Sequence, residues 1–242
     1  MRKILAIAAL GCFTFTLAAQ DEPRTLLQKG IIAQGGERLL KARTLIRVAK
    51  GELDAFPQPI PFVGEARFNL PDQARWNFEL EQNKQKSLIL LIVNKDKGWR
   101  ATGGAAQDLT ARELDNLREE AYVHWVMTLL PVLQNAFEVS PLPETKVNGE
   151  PAVGFKAATK GKPDVSLYFD KKTFLLAKAE YKGKEADLTV NKEIILSAYK
   201  DYDGLKLPTK LLVQSNGKRV AEWNVKEYKF PERVDDAAFS KP

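Results

Sequence analysis

The sequence predicts a mainly β protein in which one large antiparallel sheet curls on itself beneath a helical cover. Three observations predict it. Apolar and polar residues alternate with period two along several segments, the signature of strands wet on one face. The dipeptides Asn148-Gly149, Asp203-Gly204 and Asn216-Gly217 punctuate the second half as hairpin turns, because both positions tolerate positive φ. Helical spacing is confined to two segments. Roughly ten strands follow. An antiparallel sheet of that size curls, and its apolar face must be buried against another layer.

The chain of 242 residues opens with Arg2 and Lys3, an apolar run from Ile4 to Leu17, and the small residues Ala18 and Ala19. This is the layout of an export signal. The run is shorter than the ~20 apolar residues of a membrane span. Cleavage is expected after Ala19, with Ala18 as the second choice, leaving residues 20–242 as a single domain. The lone cysteine, Cys12, falls inside this leader. Its alternative reading is lipidation after Ala9-Leu10-Gly11, against which the apolar stretch runs on through Phe13–Ala19.

The first helical region runs from about Glu22 to Lys41. Leu26, Leu27, Ile31, Ile32, Leu39 and Leu40 give its spacing, and Gly35-Gly36 divides it into two short helices. A strand over Thr44–Leu53 follows, then a loop carrying Pro57, Pro59 and Pro61. Ala66, Phe68 and Leu70 alternate with polar residues up to Pro71-Asp72. Trp76, Phe78 and Leu80 alternate after it. Residues Leu88 to Val93 are apolar without alternation, as in a strand covered on both faces. Gly98-Trp99-Arg100 starts a further short strand.

The second helical region is the best defined. Thr110 and Glu113 form a capping box, and Leu114, Leu117, Ala121, Trp125 and Leu129 form one apolar stripe that Pro131 ends. Beyond it, Val165, Leu167 and Phe169, then Ala221, Trp223 and Val225, alternate as strands.

Composition excludes more chemistry than it suggests. With one histidine (His124), and with the one cysteine inside the leader, a His/Cys metal site and catalysis that needs two histidines or a Cys–His pair are all but excluded. Gly103-Gly104 lacks the strand and helix of a phosphate loop. Asp201 and Asp203 read as turn residues, His124 as a mid-helix residue, and Lys171, Lys172, Lys178, Lys182 and Lys184 as a solvated face. Lysine and arginine total 37 against 31 acids, and the formal charge is +6. That excess only weakly favours anionic lipid, and no aromatic-basic motif points to nucleic acid.

Gly64-Glu-Ala-Arg-Phe-Asn-Leu-Pro71, Ala74-Arg-Trp76-Asn-Phe78 and Lys97-Gly98-Trp99 resemble the periplasmic LolA/LolB-like lipoprotein-sorting proteins. The tail segments Tyr202-Asp-Gly204-Leu-Lys-Leu-Pro208, Asn216-Gly217 and Phe239-Ser-Lys-Pro242 do as well. Ala33-Gln-Gly35-Gly36 and Leu129-Leu130-Pro131 are similar to a broader group of exported LolA-like proteins. The resemblance implies an incomplete, half-open curved antiparallel β-barrel with an α lid over an apolar cavity. It implies a non-enzymatic carrier of acyl chains of a lipoprotein or other lipid through the periplasm, between an inner-membrane donor and an outer-membrane acceptor. It departs at one place. The dedicated carriers have an Arg immediately before the matching Pro, where it latches the lid. Here that residue is Leu70, with Arg67 three positions earlier.

The expected ligand wall is Phe68, Trp76, Phe78, Leu88, Leu90, Ile92 and Trp99, and the expected lid is Leu114, Leu117, Ala121, Trp125 and Leu129. No cofactor, metal or nucleic-acid partner is expected, and the chain is expected to be a monomer. A second reading stays open at this stage: an interaction or regulatory protein of the same fold whose cavity is filled by side chains.

Overall fold

Local turn chemistry sets the topology. Asn148 and Gly149, Asp203 and Gly204, and Asn216 and Gly217 all adopt positive φ, so each reverses the chain in two residues and pairs consecutive strands antiparallel. The computed structural model describes residues 22–42, 44–54, 58–82, 84–185 and 188–242. The expected export leader, with Cys12, Ala18 and Ala19, lies outside the described residues, as does Pro57.

Two helices, α1 (Pro23–Gln34) and α2 (Glu37–Lys41), open the described chain, parted at Gly35-Gly36 as expected. A meander of six strands follows: β1 (Thr44–Leu53), β2 (Ile60–Asn69), β3 (Gln73–Gln82), β4 (Gln85–Asn94), β5 (Lys97–Thr102) and β6 (Gln107–Asp108). Helix α3 (Ala111–Met127) then leads to the second meander. This comprises β7 (Glu138–Val147), β8 (Glu150–Ala158), β9 (Val165–Asp170), β10 (Leu176–Glu185), β11 (Leu188–Tyr202), β12 (Leu205–Ser215) and β13 (Lys218–Lys229). All belong to one open, curved sheet of thirteen strands, against roughly ten expected. Its order is β6-β5-β4-β3-β2-β1-β13-β12-β11-β10-β9-β8-β7. The first and last strands therefore meet in the middle of the sheet, and α3 joins its two edges. Edge strand β7 carries Pro141 and Pro143, whose missing amides an edge tolerates. Pro61, expected in a loop, instead lies at the start of β2 opposite Glu52.

The helices pack on one face of the sheet, here the inner face. Its core joins Leu26, Leu27 and Ile31 of α1 with Tyr122, Val123 and Val126 of α3 and with Phe155, Leu167, Phe169 and Trp223 of the sheet. Gly30 lets α1 come close. A Cβ there would lie 2.6 Å from the Phe169 ring. Helix α3 starts on the expected capping box: the Thr110 hydroxyl accepts from the Glu113 amide at 3.3 Å, and the Glu113 carboxylate accepts from the Thr110 amide at 2.8 Å. An Arg100–Glu113 ion pair at 3.1 Å fastens this end of α3 to β5.

The outer face is covered only in part. After β13, the chain bends back and a single 3₁₀ turn, Asp236–Phe239, lies across β3 and β4. Phe239 and Val234 bury Leu90 and Ile92. Arg75 donates to the Ala238 carbonyl at 2.9 Å, and Asn94 to that of Phe239 at 3.3 Å. The second half of β4 is thus covered on both faces, which explains the apolar run from Leu90 to Val93.

Candidate functional site

The candidate site is a cavity of about 590 Å³ at the end of the inner face, between α1–α2, the last turn of α3 and strands β1 and β10 to β13. Its wall is largely aliphatic and aromatic, with Leu39, Leu45, Leu196, Leu207, Leu211 and Phe230 among its residues. The size and the apolar lining match a site for one hydrophobic small molecule. Leu40 and Leu133 also line it and remain 44% and 43% exposed, forming an apolar rim at the mouth.

The strand register decides which expected site residues reach the cavity. Directly opposed residues share a face of the sheet. Arg47, Ala66, Trp76, Leu91 and Arg100 form one such row across β1 to β5, and it faces the helices. The neighbouring row, Ile46, Arg67, Arg75, Ile92 and Trp99, faces outward. Trp76 is therefore paired with Leu91. Leu90, Ile92 and Trp99, expected on the ligand wall, lie on the outer face beneath the C-terminal turn. Leu88 shares their face beyond the turn's reach and is 49% exposed. A run apolar on both faces carries no parity signal, so the sequence could not assign its inner row.

Phe68 and Trp125 do line the cavity. Trp76 is buried instead in a packed cluster with Phe68, Ala66, Ala74, Val93 and Ala121. Phe78 meets Phe62 and Trp223 edge-on, with centroids 5.5 and 5.2 Å away. Leu114 and Leu117 pack on the Trp76 cluster, and Leu129 is buried in the main core, just past the end of α3. The expected lid stripe thus splits, with its first half sealing a dry cluster and its end meeting the cavity. Residues Met127, Thr128, Leu130 and Pro131 complete that end.

Four ionisable residues line the wall. Tyr199 donates its hydroxyl proton to the Leu176 carbonyl, and Tyr228 donates to that of Pro208 at 2.7 Å. Burial raises both phenols, Tyr228 to about 12, so both stay neutral. Burial lowers His124 to about 3, with the nearby Arg47 charge adding to the effect, so the imidazole is neutral too. Its ring lies 5.2 Å from that of Phe68. The fourth residue is Arg47, which sequence reasoning did not single out. It is only 6% exposed, and its Nε has no hydrogen-bond partner. Its guanidinium carbon lies 5.0 Å from the Trp223 ring centroid and 5.7 Å from that of Phe68. The signal was present in β1: Leu45, Arg47, Ala49 and Gly51 form one row, in which the arginine interrupts apolar and small residues.

Other ionisable groups have structural roles. Asp201 accepts from the Gly204 amide at 2.8 Å and so caps its hairpin. Lys178 is not a solvated lysine: it pairs with Glu180 at 2.9 Å and Glu193 at 3.4 Å. Arg67 pairs with Glu65 at 2.5 Å on the outer face and does not replace the arginine missing at Leu70, which itself lines the cavity. Among the described residues no group of His, Cys, Asp and Glu could hold a metal ion, and no helix is long and apolar enough to cross a membrane.

No family model matches the chain, and no curated protein matches its sequence. Solved structures do match its fold. A LolA superfamily protein from Nitrosomonas europaea aligns at TM-score 0.56 and 11% identity, covering 90% of this chain and 97% of its own. A domain assigned to outer membrane lipoprotein sorting, from Vibrio parahaemolyticus, aligns at 0.54 and 14%, covering 89% and 97%. A DUF1329 family protein from Desulfovibrio piger aligns at 0.57 and 13%, covering 91% and 98%. The chain thus shares the fold of these structures over about nine tenths of its length.

Proposed function

We propose that the protein is an exported, non-enzymatic carrier that holds the acyl chains of a lipoprotein or other lipid in this cavity and moves them through the periplasm toward the outer membrane. The observation that carries the reading is the cavity, a largely apolar space of about 590 Å³ left open beside a packed core. A packed interior leaves few voids larger than a water molecule, so a space of this size is kept by the fold for an occupant. Each buried methylene contributes about 0.8 kcal/mol, and a dozen contribute roughly 10 kcal/mol before the entropy of association. The apolar rim of Leu40 and Leu133 suits loading from and release to another apolar surface. The fold of the Vibrio parahaemolyticus domain assigned to lipoprotein sorting supports the same reading. An open cavity also argues against the filled-interior alternative.

Mass spectrometry of lipid extracted from the protein purified from its native envelope tests the proposal. An acylated lipid in near-stoichiometric amount is expected. Leu207→Trp, which projects an indole into the cavity, is expected to remove it while the protein still folds. Recovery of equal lipid from both proteins would place the binding elsewhere.

A further inference from the structure

We propose that Arg47 is an anion anchor: the cavity takes an amphiphile with a single oxyanion head, carboxylate or phosphate, which docks on the guanidinium while its acyl chain lies along the apolar wall. This rests on the acyl-binding reading above and adds the head-group chemistry.

The argument starts from what surrounds the guanidinium. Buried charges in proteins are paired, because removing an ion from water costs more than neutral contacts return. Other arginines here obey that rule. Arg24 donates to the carbonyls of Val132 and Phe137 at 2.5 and 2.7 Å. Arg219 clasps Asp54 at 2.5 Å. Arg47 is more deeply buried than Arg219, yet its neighbours are Trp223, Phe68, His124 and Tyr228, and none carries a negative charge. Tyr228 faces it directly across β1 and β13 and offers a hydroxyl oxygen whose own proton is committed to Pro208.

The geometry leaves a specific gap. Aromatic contact occupies the faces of a guanidinium, whereas its N–H donors lie in the plane of the group. The Nε–H is enclosed without an acceptor, Tyr228 takes a hydrogen bond from the group, and the residue borders the cavity. A planar cation with one neutral acceptor and no counter-ion matches the oxygens of a carboxylate or phosphate, toward which its donors can turn when the ligand enters. The remainder of the wall offers the chain its apolar contact. A purely structural side chain at this position would need no charge, since methionine fills the same volume without desolvating an ion.

Fluorescence titration with parinaric acid and with its methyl ester tests the anchor, using wild type, Arg47→Met and Arg47→Lys. The wild type is expected to bind the acid roughly ten- to a hundred-fold more tightly than the ester, as one charged hydrogen-bonded contact gives. Arg47→Met is expected to lose the preference, its acid-to-ester affinity ratio falling to about one. Arg47→Lys keeps the charge without the fork and is expected to retain part of it. Ester binding with no preference for the acid in the wild type, or an undiminished preference in Arg47→Met, overturns the anchor and leaves the acyl cavity standing. Failure of both probes to bind overturns the cavity reading and the anchor with it. Should Arg47→Met fail to fold by circular dichroism, the wild-type comparison and Arg47→Lys decide alone. Competition then separates the two head groups. Stronger displacement by oleate identifies carboxylate, and stronger displacement by oleoyl lysophosphatidic acid identifies phosphate. If oleyl alcohol competes as well as both, the anchor is wrong.

Discussion

The sheet behaves differently at β3–β4 and at β11–β13. At β3–β4 both faces are covered: the first half of α3 packs on Trp76 and Val93, and the C-terminal turn packs on Leu90 and Ile92. At β11–β13 the inner face borders open space, and Leu207, Leu211 and Tyr228 line a cavity. The two regions have similar apolar composition. What separates them is the number of layers laid over them, which the chain supplies from segments far away in sequence. A row of large apolar side chains therefore does not by itself mark a binding wall.

Substitutions can break or sharpen this contrast. The largest effect is expected at the doubly covered end. Phe239→Ala should cost about 3–5 kcal/mol, because it empties a closed contact between turn and sheet. Leu207→Ala, on the cavity wall, should cost about 1 kcal/mol, since it only enlarges an existing space. Urea unfolding of the two variants measures the difference, and equal costs would mean that the cavity end is packed as tightly as the other.

Next comes acid stability. His124 has its folded pKa depressed to about 3 by burial and by Arg47, below the unfolded value of about 6.5. Its contribution is therefore intact above pH ~6.5 and is lost as pH falls toward 3, at about 1.4 kcal/mol per unit, because the unfolded state takes up the proton. Between pH 7 and pH 4 the wild type should lose about 3 kcal/mol more than His124→Leu. Parallel curves for the two proteins would show that the imidazole is hydrated at the cavity rather than buried.

Arg47→Met should act in the opposite direction and stabilise the ligand-free protein by about 2 kcal/mol, since it removes a buried charge without a counter-ion. Thermal denaturation in delipidated samples measures it, and a lower melting temperature would mean that the guanidinium has a structural partner. The smallest effect is expected at the far end of α3. Thr110→Ala removes the cap and should cost about 1 kcal/mol. Amide exchange should rise in the first turn of α3 and leave the cavity end unchanged.

What was legible in the sequence follows the range of each interaction. The capping box Thr110/Glu113, the break at Gly35-Gly36 and the three Asn-Gly or Asp-Gly turns are settled within a few residues, and each stands where the pattern put it. The double cover of β4 was legible too for Leu90 to Val93, where an apolar run without alternation signals burial on both faces, although Leu88 at the start of the run stays exposed. Its parity was not. The pairing of Trp76 with Leu91 depends on the turn at the end of the β3–β4 hairpin, and both candidate rows are apolar. The cavity itself was legible only as a class of object, since its walls come from β1, α3 and β10 to β13 together. Arg47 escaped because its neighbours Tyr228 and Trp223 come from the far end of the chain.

The joining of β1 to β13 has a consequence in time. Ile46 pairs with Lys229 across this seam, so the middle of the sheet is its longest-range contact. Such contacts carry the largest loop-closure cost and are slow to form. As the polypeptide emerges from its N-terminus, β1 can find β2 at once, but its other edge has no neighbour until nearly the whole chain has been made. Until then, one rim of the first half-sheet offers bare backbone donors and acceptors to any passing strand. The protein's most aggregation-prone interval is thus written into the position of its last strand, and the same late event assembles the pocket around Arg47.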